Sequence, residues 1–203
     1  MLPSDIANWL PGLVDDYYLP LFSMNDVQQA FAQLNRFRIL SATRQGDAGV
    51  ENINQLVEAH LVARGVIKFP QNLYHGQPIM ISENDHRLGL YNGDIGILWR
   101  NDQGHLMAVF ESQLEEGFFW IMPSRLPKFE SVYAMTIHKT QGSEFDHVAM
   151  VLPGQANSKL LSRQLLYTGI TRAKHQFSLA CSASVWRHGV DTKVKRYSGF
   201  NLS

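Results

Sequence analysis

The stretch Ser131–Pro153, SVYAMTIHKTQGSEFDHVAMVLP, places two short apolar runs on either side of a polar segment that contains one glycine. Apolar runs of this kind are typical of buried strands in a parallel sheet. The first strand then delivers a cluster of polar groups to its carboxyl end, where open α/β sheets place their ligand sites. These groups are Thr136, His138, Lys139, Thr140, Gln141 and Gly142.

Two interpretations of this polar segment are open on the residue types alone. Small hydrogen-bond donors, a cation and a glycine that lets a backbone approach closely suit the binding of phosphates. The same residues also suit a polar strand-to-helix connection, with a helix that begins after His138.

A second informative segment, QLLYTGITRAK, covers Gln164–Lys174. Its apolar positions and Gly169 predict a helix packed on the sheet, with Tyr167 packing that helix rather than stacking on a base. Arg172 and Lys174 fall near the end of the helix, where the helix dipole favours cations. An arginine at this place can instead stabilise charge that develops on a γ-phosphoryl group.

Outward from these segments, apolar strands alternate with helices. RFRILSAT predicts a strand, and Val50, Ile53, Val57 and Leu61 recur at helical spacing until Gly65. The predicted fold class is therefore α/β, with a parallel sheet flanked by helices and built from residues 1–70 and 128–203. Residues 1–30, with short helices broken by prolines, are predicted to be the tail of a preceding region.

Residues 71–127 differ in character from their surroundings. PIMIS, DIGILW, HLMAVF and FFWIM are short β-rich runs separated by turn signals such as Asn92-Gly93-Asp94. They predict a small antiparallel barrel inserted into the sheet domain. One polar and aromatic loop of the barrel suits either nucleic-acid contact or plain turn formation. Its residues are Asn84, His86, Arg87, Tyr91 and Asn92.

Composition excludes several classes of protein. Lys+Arg and Asp+Glu both number 18 and the pI is about 7.1, so any contact with nucleic acid must be local. The lone cysteine, Cys181, excludes an internal disulfide and fits the reducing cytoplasm. No basic stretch precedes an apolar signal segment and no apolar run approaches the ~20 residues that span a bilayer, so neither secretion nor membrane insertion is expected. The eight histidines lack ligand spacing, so no metal site is expected.

Together, IHKTQGSEFD and the later LLYTGITRAK resemble motifs V and VI of superfamily 1 helicases in order and spacing. RILSATRQGDAGVENIN and PIMISENDHRLGLYNGDIGIL resemble the RecD branch of that superfamily, the α subunit of exodeoxyribonuclease V. The resemblance extends from about Arg36 to Cys181. It implies that the sheet domain is the second of two RecA-like domains that clamp ATP between them, and that the insert is an SH3-like module.

The resemblance also implies roles for individual residues. Arg172 would be the arginine finger, and Gln141 would share the catalytic role by coupling hydrolysis to the strand. The residues expected to contact ATP are Arg44, Gly142, Glu144 and Arg172. The residues expected on the single-stranded DNA track are Thr136, His138, Lys139 and Thr140.

The sequence lacks two elements of a complete ATP site. It contains no G-x-x-x-x-G-K-[ST] loop and no apolar strand that ends in Asp-Glu to hold Mg²⁺. ATP and Mg²⁺ are therefore expected only in a complete protein whose P-loop domain lies outside this sequence, and neither is expected to bind this chain alone. The acidic residues form no compact nuclease constellation.

The resemblance implies half of an ATP-dependent motor that moves 5′ to 3′ along single-stranded DNA, within an enzyme of double-strand break repair and DNA degradation. Its expected partners are the β and γ subunits of exodeoxyribonuclease V. Two alternatives are a stand-alone RecD-like helicase and a module that binds DNA or other subunits passively.

Overall fold

The computed structural model describes residues 2, 5–112, 117–154 and 160–192. Residues 193–203, which were predicted to belong to the sheet domain, lie outside the described residues. Within these residues nine strands form two sheets. The strands are β1 (Phe37–Ser41), β2 (Gln77–Ile81), β3 (Ile95–Arg100), β4 (Leu106–Glu111), β5 (Phe118–Ile121), β6 (Phe129–Ser131), β7 (Ala134–Thr136), β8 (Phe145–Val151) and β9 (Ala173–Ala180). The helices are α1 (Leu10–Tyr17), α2 (Val27–Leu34), α3 (Val50–Ala63), α4 (Arg163–Ile170) and α5 (Ala183–Asp191).

The first sheet is parallel throughout, with the strand order β7-β1-β8-β9. In the central strand β1, Phe37 and Ile39 face a core that includes residues of α1 and α3. Leu40 faces the opposite core, which includes residues of α4 and α5. The sheet is thus covered by helices on both faces, and the predicted α/β class is confirmed. None of the described helices is long and apolar enough to span a bilayer.

The second sheet is antiparallel, with the strand order β5-β4-β3-β2-β6. The four predicted β-rich runs form β2 to β5, which confirms them as strands. β6 lies beyond residue 127, where the insert was predicted to end, and it pairs with β2 through Ile79 and Ser131. The strands by which the chain enters and leaves this sheet are therefore neighbours.

α3 fixes the junction between the two sheets. The side-chain amide of Asn54 donates to the carbonyl oxygen of Ser131 at 3.0 Å, and its oxygen accepts from the backbone N–H of Ala134 at 2.8 Å. One turn later, Glu58 accepts from the Ser131 hydroxyl at 3.0 Å. One helix thus holds the last residue of β6 and the first residue of β7.

Residues 5–30 form part of the core of the parallel sheet. Val14, Tyr18 and Leu21 are completely buried in the same cluster as Phe37. The short predicted helices are present, but Pro11 and Pro20 lie in the first turn of their helices. A missing N–H removes no helical hydrogen bond there, so these prolines start helices rather than break them.

Candidate functional site

The polar segment between β7 and β8 crosses the face of the sheet. Thr136 ends β7, and Glu144 directly precedes β8, so Ile137–Glu144 connects two parallel strands that lie on either side of β1. Because parallel strands share their carboxyl edge, the segment begins at that edge and finishes at the amino edge. Its two ends carry residues predicted for two different ligands.

The first half of the segment is a 3-10 turn, Ile137–Thr140, in place of the helix predicted after His138. The Thr140 hydroxyl donates to the carbonyl oxygen of Ile137 at 2.6 Å, and the Thr140 side chain is fully buried. Thr140 thus stabilises the turn and presents no group to a ligand in this conformation. His138 is exposed and Lys139 is half-buried.

α4 packs closely on this turn because Gly169 has no side chain. A Cβ atom at Gly169 would lie 2.7 Å from the sulfur of Met150 and 3.5 Å from Cδ1 of Ile137. The predicted packing of Leu165, Leu166 and Gly169 on the sheet is confirmed by their burial, whereas Ile170, predicted to pack with them, is 37% exposed. The prediction for Tyr167 is wrong: this residue is 69% exposed, because it faces away from the side of α4 that these residues bury.

The second half of the segment is a tight turn that exposes Gln141 and Gly142. Gln141 has φ −60° and ψ 122°, Gly142 has φ +87°, and the Ser143 N–H donates to the Thr140 carbonyl oxygen at 2.9 Å. These values define a type II turn, which requires a left-handed residue at the position of Gly142. Glu144 is exposed immediately after it.

Arg172 lies against this turn. Its Nη1 donates to the carbonyl oxygens of Ser143 at 3.2 Å and Thr140 at 3.5 Å, and its Nε donates to the Thr168 carbonyl oxygen at 3.3 Å. The backbone carbonyl of Arg172 also accepts from the Phe145 N–H at 2.8 Å. All of these partners are neutral, so they orient the guanidinium without cancelling its charge.

A second group of charges lies beyond the carboxyl edge. The Glu130 carboxylate accepts from Nη2 of Arg44 at 2.6 Å and from Nζ of Lys139 at 3.0 Å. Arg44 also pairs with Glu51 at 2.9 Å. Burial raises the pKa of Glu130, but the hydrogen bonds and charges of Lys139 and Arg44 outweigh it, so the net shift is downward. Sequence reasoning overlooked Glu130 because its partner Arg44 is 86 residues away.

The structure divides the predicted site residues into two groups. Gln141, Gly142 and Glu144 lie with Arg172 near the amino edge. Arg44 follows β1, so it lies beyond the carboxyl edge with Thr136 and Lys139 rather than with Arg172. The fold does not bring together the four residues predicted to contact ATP.

The loop of the second sheet is held by its own turn contacts. Asn84 accepts from the Asn92 N–H at 2.7 Å, and Asp94 accepts from the Tyr91 N–H at 2.7 Å. His86 packs edge-on against Tyr91 with their centroids 5.7 Å apart. Arg87 extends into solvent, with 92% of its side chain exposed. These contacts favour the turn-forming interpretation for Asn84 and Asn92.

Comparisons with known proteins find sequence similarity to helicases. The family model described as "UvrD-like helicase C-terminal domain" matches residues 131–180, which include β7, the crossing segment, α4 and Arg172. The RecBCD enzyme subunit RecD of Haemophilus influenzae is 41% identical over 82% of this chain and 25% of that protein. The ATP-dependent RecD2 DNA helicase of Deinococcus radiodurans is 29% identical over 74% of this chain and 21% of that protein.

A solved structure of the Pif1 helicase from Bacteroides, in complex with ADP-AlF3 and single-stranded DNA, aligns with 95% of this chain and 52% of that chain. The TM-score is 0.48 and the sequence identity is 18%.

Residues 131–180 carry the sequence pattern of a UvrD-like helicase C-terminal domain. Within that class the chain is a homologue of the RecD and RecD2 helicases. It spans about a quarter of the length of the curated RecD relative described above.

Proposed function

We propose that this chain is the second RecA-like half of an ATP-dependent motor that moves 5′ to 3′ along single-stranded DNA. We place it in a RecD-like α subunit of exodeoxyribonuclease V, acting in the cytoplasm with β and γ subunits in double-strand break repair and DNA degradation. The name of the Haemophilus influenzae relative supports this assignment.

One observation carries the proposal: Ile137–Glu144 joins the two edges of the sheet, and Arg172 is hydrogen-bonded to it. A motor must change its grip on DNA when the state of its nucleotide changes. A connection between the two edges provides a direct physical path for that change.

At the amino edge, the residues present fit a phosphate-binding role. We assign Arg172 as the arginine finger because its guanidinium is oriented by neutral carbonyls and keeps its charge. Gly142 gives an exposed turn that a phosphate can approach closely, and Gln141 and Glu144 flank it. ATP supplies the γ-phosphoryl group whose developing charge such an arginine stabilises.

The remaining parts of the ATP site must come from elsewhere. We assign the phosphate-cradling loop and the Mg²⁺ ligands to a P-loop domain outside this sequence. Among the described residues, no group of three histidine, cysteine or acidic side chains is arranged to hold a metal ion.

At the carboxyl edge, we assign Thr136, His138, Lys139 and Arg44 to the phosphates of single-stranded DNA. Arg44 moves from the predicted ATP set to this set because it shares the Glu130 carboxylate with Lys139. Thr140 leaves the set because its hydroxyl is buried within the turn.

We further propose that the insert is an SH3-like module bounded by residues 77 and 131. Its five short strands and their order β5-β4-β3-β2-β6 support this assignment. The RecA-like domain would then comprise the residues before and after the insert, including the first 30.

The test is ATP turnover by the full-length protein, with and without single-stranded DNA. We expect turnover that DNA stimulates, and we expect Gln141→Ala to hydrolyse ATP with most of that stimulation lost. Absence of DNA-stimulated turnover in the unmodified protein would refute the proposal. Full stimulation in the Gln141 variant would refute the role of that residue.

A stand-alone helicase is the second candidate, and the similarity to RecD2 of Deinococcus radiodurans supports it. Size-exclusion chromatography with the β and γ subunits separates the two: co-elution indicates the complex, whereas a separate peak with helicase activity indicates the stand-alone enzyme. A passive binding module would instead show strong salt dependence and no response to nucleotide.

A further inference from the structure

Glu130 belongs to the inserted module, but both of its ionic partners belong to the sheet domain. It lies in β6, which pairs with β2 of the antiparallel sheet. Arg44 lies between β1 and α3, and Lys139 lies in the crossing segment. One carboxylate therefore connects three separate parts of the chain at the edge to which we assign the DNA strand.

The local charges cancel at this edge. Arg44 and Lys139 carry two positive charges, and Glu130 and Glu51 carry two negative charges within 3.0 Å of them. The pKa of Glu130 is lowered because the hydrogen bonds of Lys139 and Arg44 outweigh the opposing effect of burial, so it stays ionised at neutral pH. A phosphate that approaches these cations meets a neutral group rather than a positive one.

The cations can still leave the carboxylate. The Arg44 side chain is 57% exposed, so water and salt screen its pair with Glu130, whereas the Lys139 side chain is 29% exposed and its pair is screened less. The exposed Arg44 pair is therefore weak, and a ligand with several phosphates can compete with Glu130 for both cations.

We propose that Glu130 competes with the DNA backbone for Arg44 and Lys139. It holds both cations when no strand is bound, and strand phosphates displace it. This inference rests on the proposed function, because it assumes that single-stranded DNA binds at the carboxyl edge. It also gives the inserted module a role in DNA binding, because the module supplies the carboxylate that lowers the affinity of this edge for single-stranded DNA and so speeds dissociation of the strand.

The direct test is Glu130→Gln in the full-length protein, with binding of a labelled oligothymidine measured by fluorescence anisotropy without nucleotide. Glutamine keeps the shape and removes the charge. We expect about threefold to tenfold tighter binding, in line with the loss of two weak ion pairs. The dependence of affinity on salt should also become steeper, because Lys139 loses its carboxylate and Arg44 keeps only Glu51 as an ionic partner, so the two cations exchange more counterions with DNA.

Three controls isolate the effect. Asp102→Asn removes the same charge from the exposed turn between β3 and β4 and should leave affinity unchanged. Glu51→Gln removes one of the two carboxylates that Arg44 contacts and leaves its pair with Glu130, so it should give a smaller gain. Glu130→Gln combined with Arg44→Ala and Lys139→Ala should give no gain over the double alanine variant.

A fourth variant protects the test against misfolding. Glu130→Asp keeps the charge but shortens the side chain by one methylene, so it cannot bridge both cations. We expect its affinity to lie between those of the unmodified protein and Glu130→Gln.

The outcomes separate this inference from the proposed function. If Arg44→Ala and Lys139→Ala weaken binding but neither Glu130 variant strengthens it, Glu130 merely positions the cations and the inference is wrong while the DNA edge stands. If the two alanine variants also bind DNA normally, the assignment of DNA to this edge is wrong as well.

Discussion

Nη1 of Arg172 donates a hydrogen bond to the main-chain carbonyl oxygen of Ser143 at 3.2 Å. The arginine that we assign to ATP is therefore attached to the segment that leads to the opposite edge. A guanidinium can make this contact and still present other N–H groups outward, because its donors diverge in a planar fork.

Replacement of Arg172 should abolish turnover without unfolding the protein. We expect Arg172→Ala to lower the kcat of DNA-stimulated hydrolysis by about 10³ or more, because a finger acts on the transition state. Arg172→Lys should retain the charge but fail to restore the rate, since an ammonium cannot reproduce the fork. Arg163→Ala is the matched control: this exposed arginine at the other end of α4 donates to the Val190 carbonyl oxygen. A rate for Arg172→Ala close to that of the control would contradict the assignment.

Gly142→Ala should cost stability through backbone strain alone. Nothing lies within 4 Å of the position of a Cβ atom, but φ is +87°. We expect a loss of about 1 kcal/mol, measured by urea unfolding. Gly12→Ala in α1 meets open space at negative φ and should instead gain up to about 1 kcal/mol. Equal stability of the two variants would show that the turn relaxes to accept a side chain.

Arg38 is a fully buried cation in β1, and an apolar side chain of similar size should be tolerated in its place. It donates to the Val132 carbonyl oxygen and lies 5.1 Å from the centroid of the Phe145 ring, but Nε and Nη2 have no partner among the described residues. Burial lowers the pKa of Arg38, which reflects the cost of its charge there. We expect Arg38→Met to match or exceed the native stability by up to about 2 kcal/mol.

The matched variant Arg38→Ala should lose about 2–5 kcal/mol, because it leaves a cavity. Urea unfolding distinguishes the two. A loss of stability in Arg38→Met as large as that in Arg38→Ala would mean that the guanidinium itself, rather than the volume it fills, stabilises the sheet.

Stability should decrease in mild acid because of His147. Burial lowers the pKa of this histidine, whose Nδ1 is 3.1 Å from the Tyr17 hydroxyl and whose Nε2 is 2.9 Å from the Ser178 hydroxyl. Below the ordinary histidine pKa of about 6.5, the unfolded chain takes up a proton that the folded chain resists. The free energy of unfolding should therefore fall as the pH drops below that value.

We expect His147→Gln to reduce this pH dependence, measured as the urea midpoint at neutral and mildly acidic pH. His75→Gln should also reduce it, since burial and the charge of Arg100 lower the pKa of His75. An unchanged pH profile in both variants would assign the acid sensitivity to other groups.

The elements that sequence patterns predicted well are those whose burial depends on local composition. The apolar runs around Ile39, Val148 and Leu179 gave strands because each is buried in the sheet. β6 was missed because Phe129–Ser131 is partly exposed throughout and has no apolar pattern of its own. Its pairing with β2, about fifty positions earlier in the sequence, makes it a strand.

The site was predictable as a set of residues but not as an arrangement. Arg172 and Gly142 were found from their motifs, and the structure places them beside each other. The separation of Arg44 from Arg172 follows from strand direction, because one residue follows a strand and the other precedes one. Glu130 could not be predicted as a site residue, because its role depends on contacts with Arg44 and Lys139 that form only in the folded chain.

The adjacency of β2 and β6 has a consequence for how this architecture can vary. Because the chain enters and leaves the insert on paired strands, the two crossing points are only about 5 Å apart. The loops of the insert can therefore lengthen or shorten without moving these crossing points, but a different fold in this place would also have to supply the contacts of Ile97, Trp99 and Val109, which share a buried cluster with α1 and α3. Glu130 lies in β6, the strand by which the chain leaves the insert. A change of insert can therefore add or remove the negative charge next to Arg44 and Lys139 at the carboxyl edge of the parallel sheet.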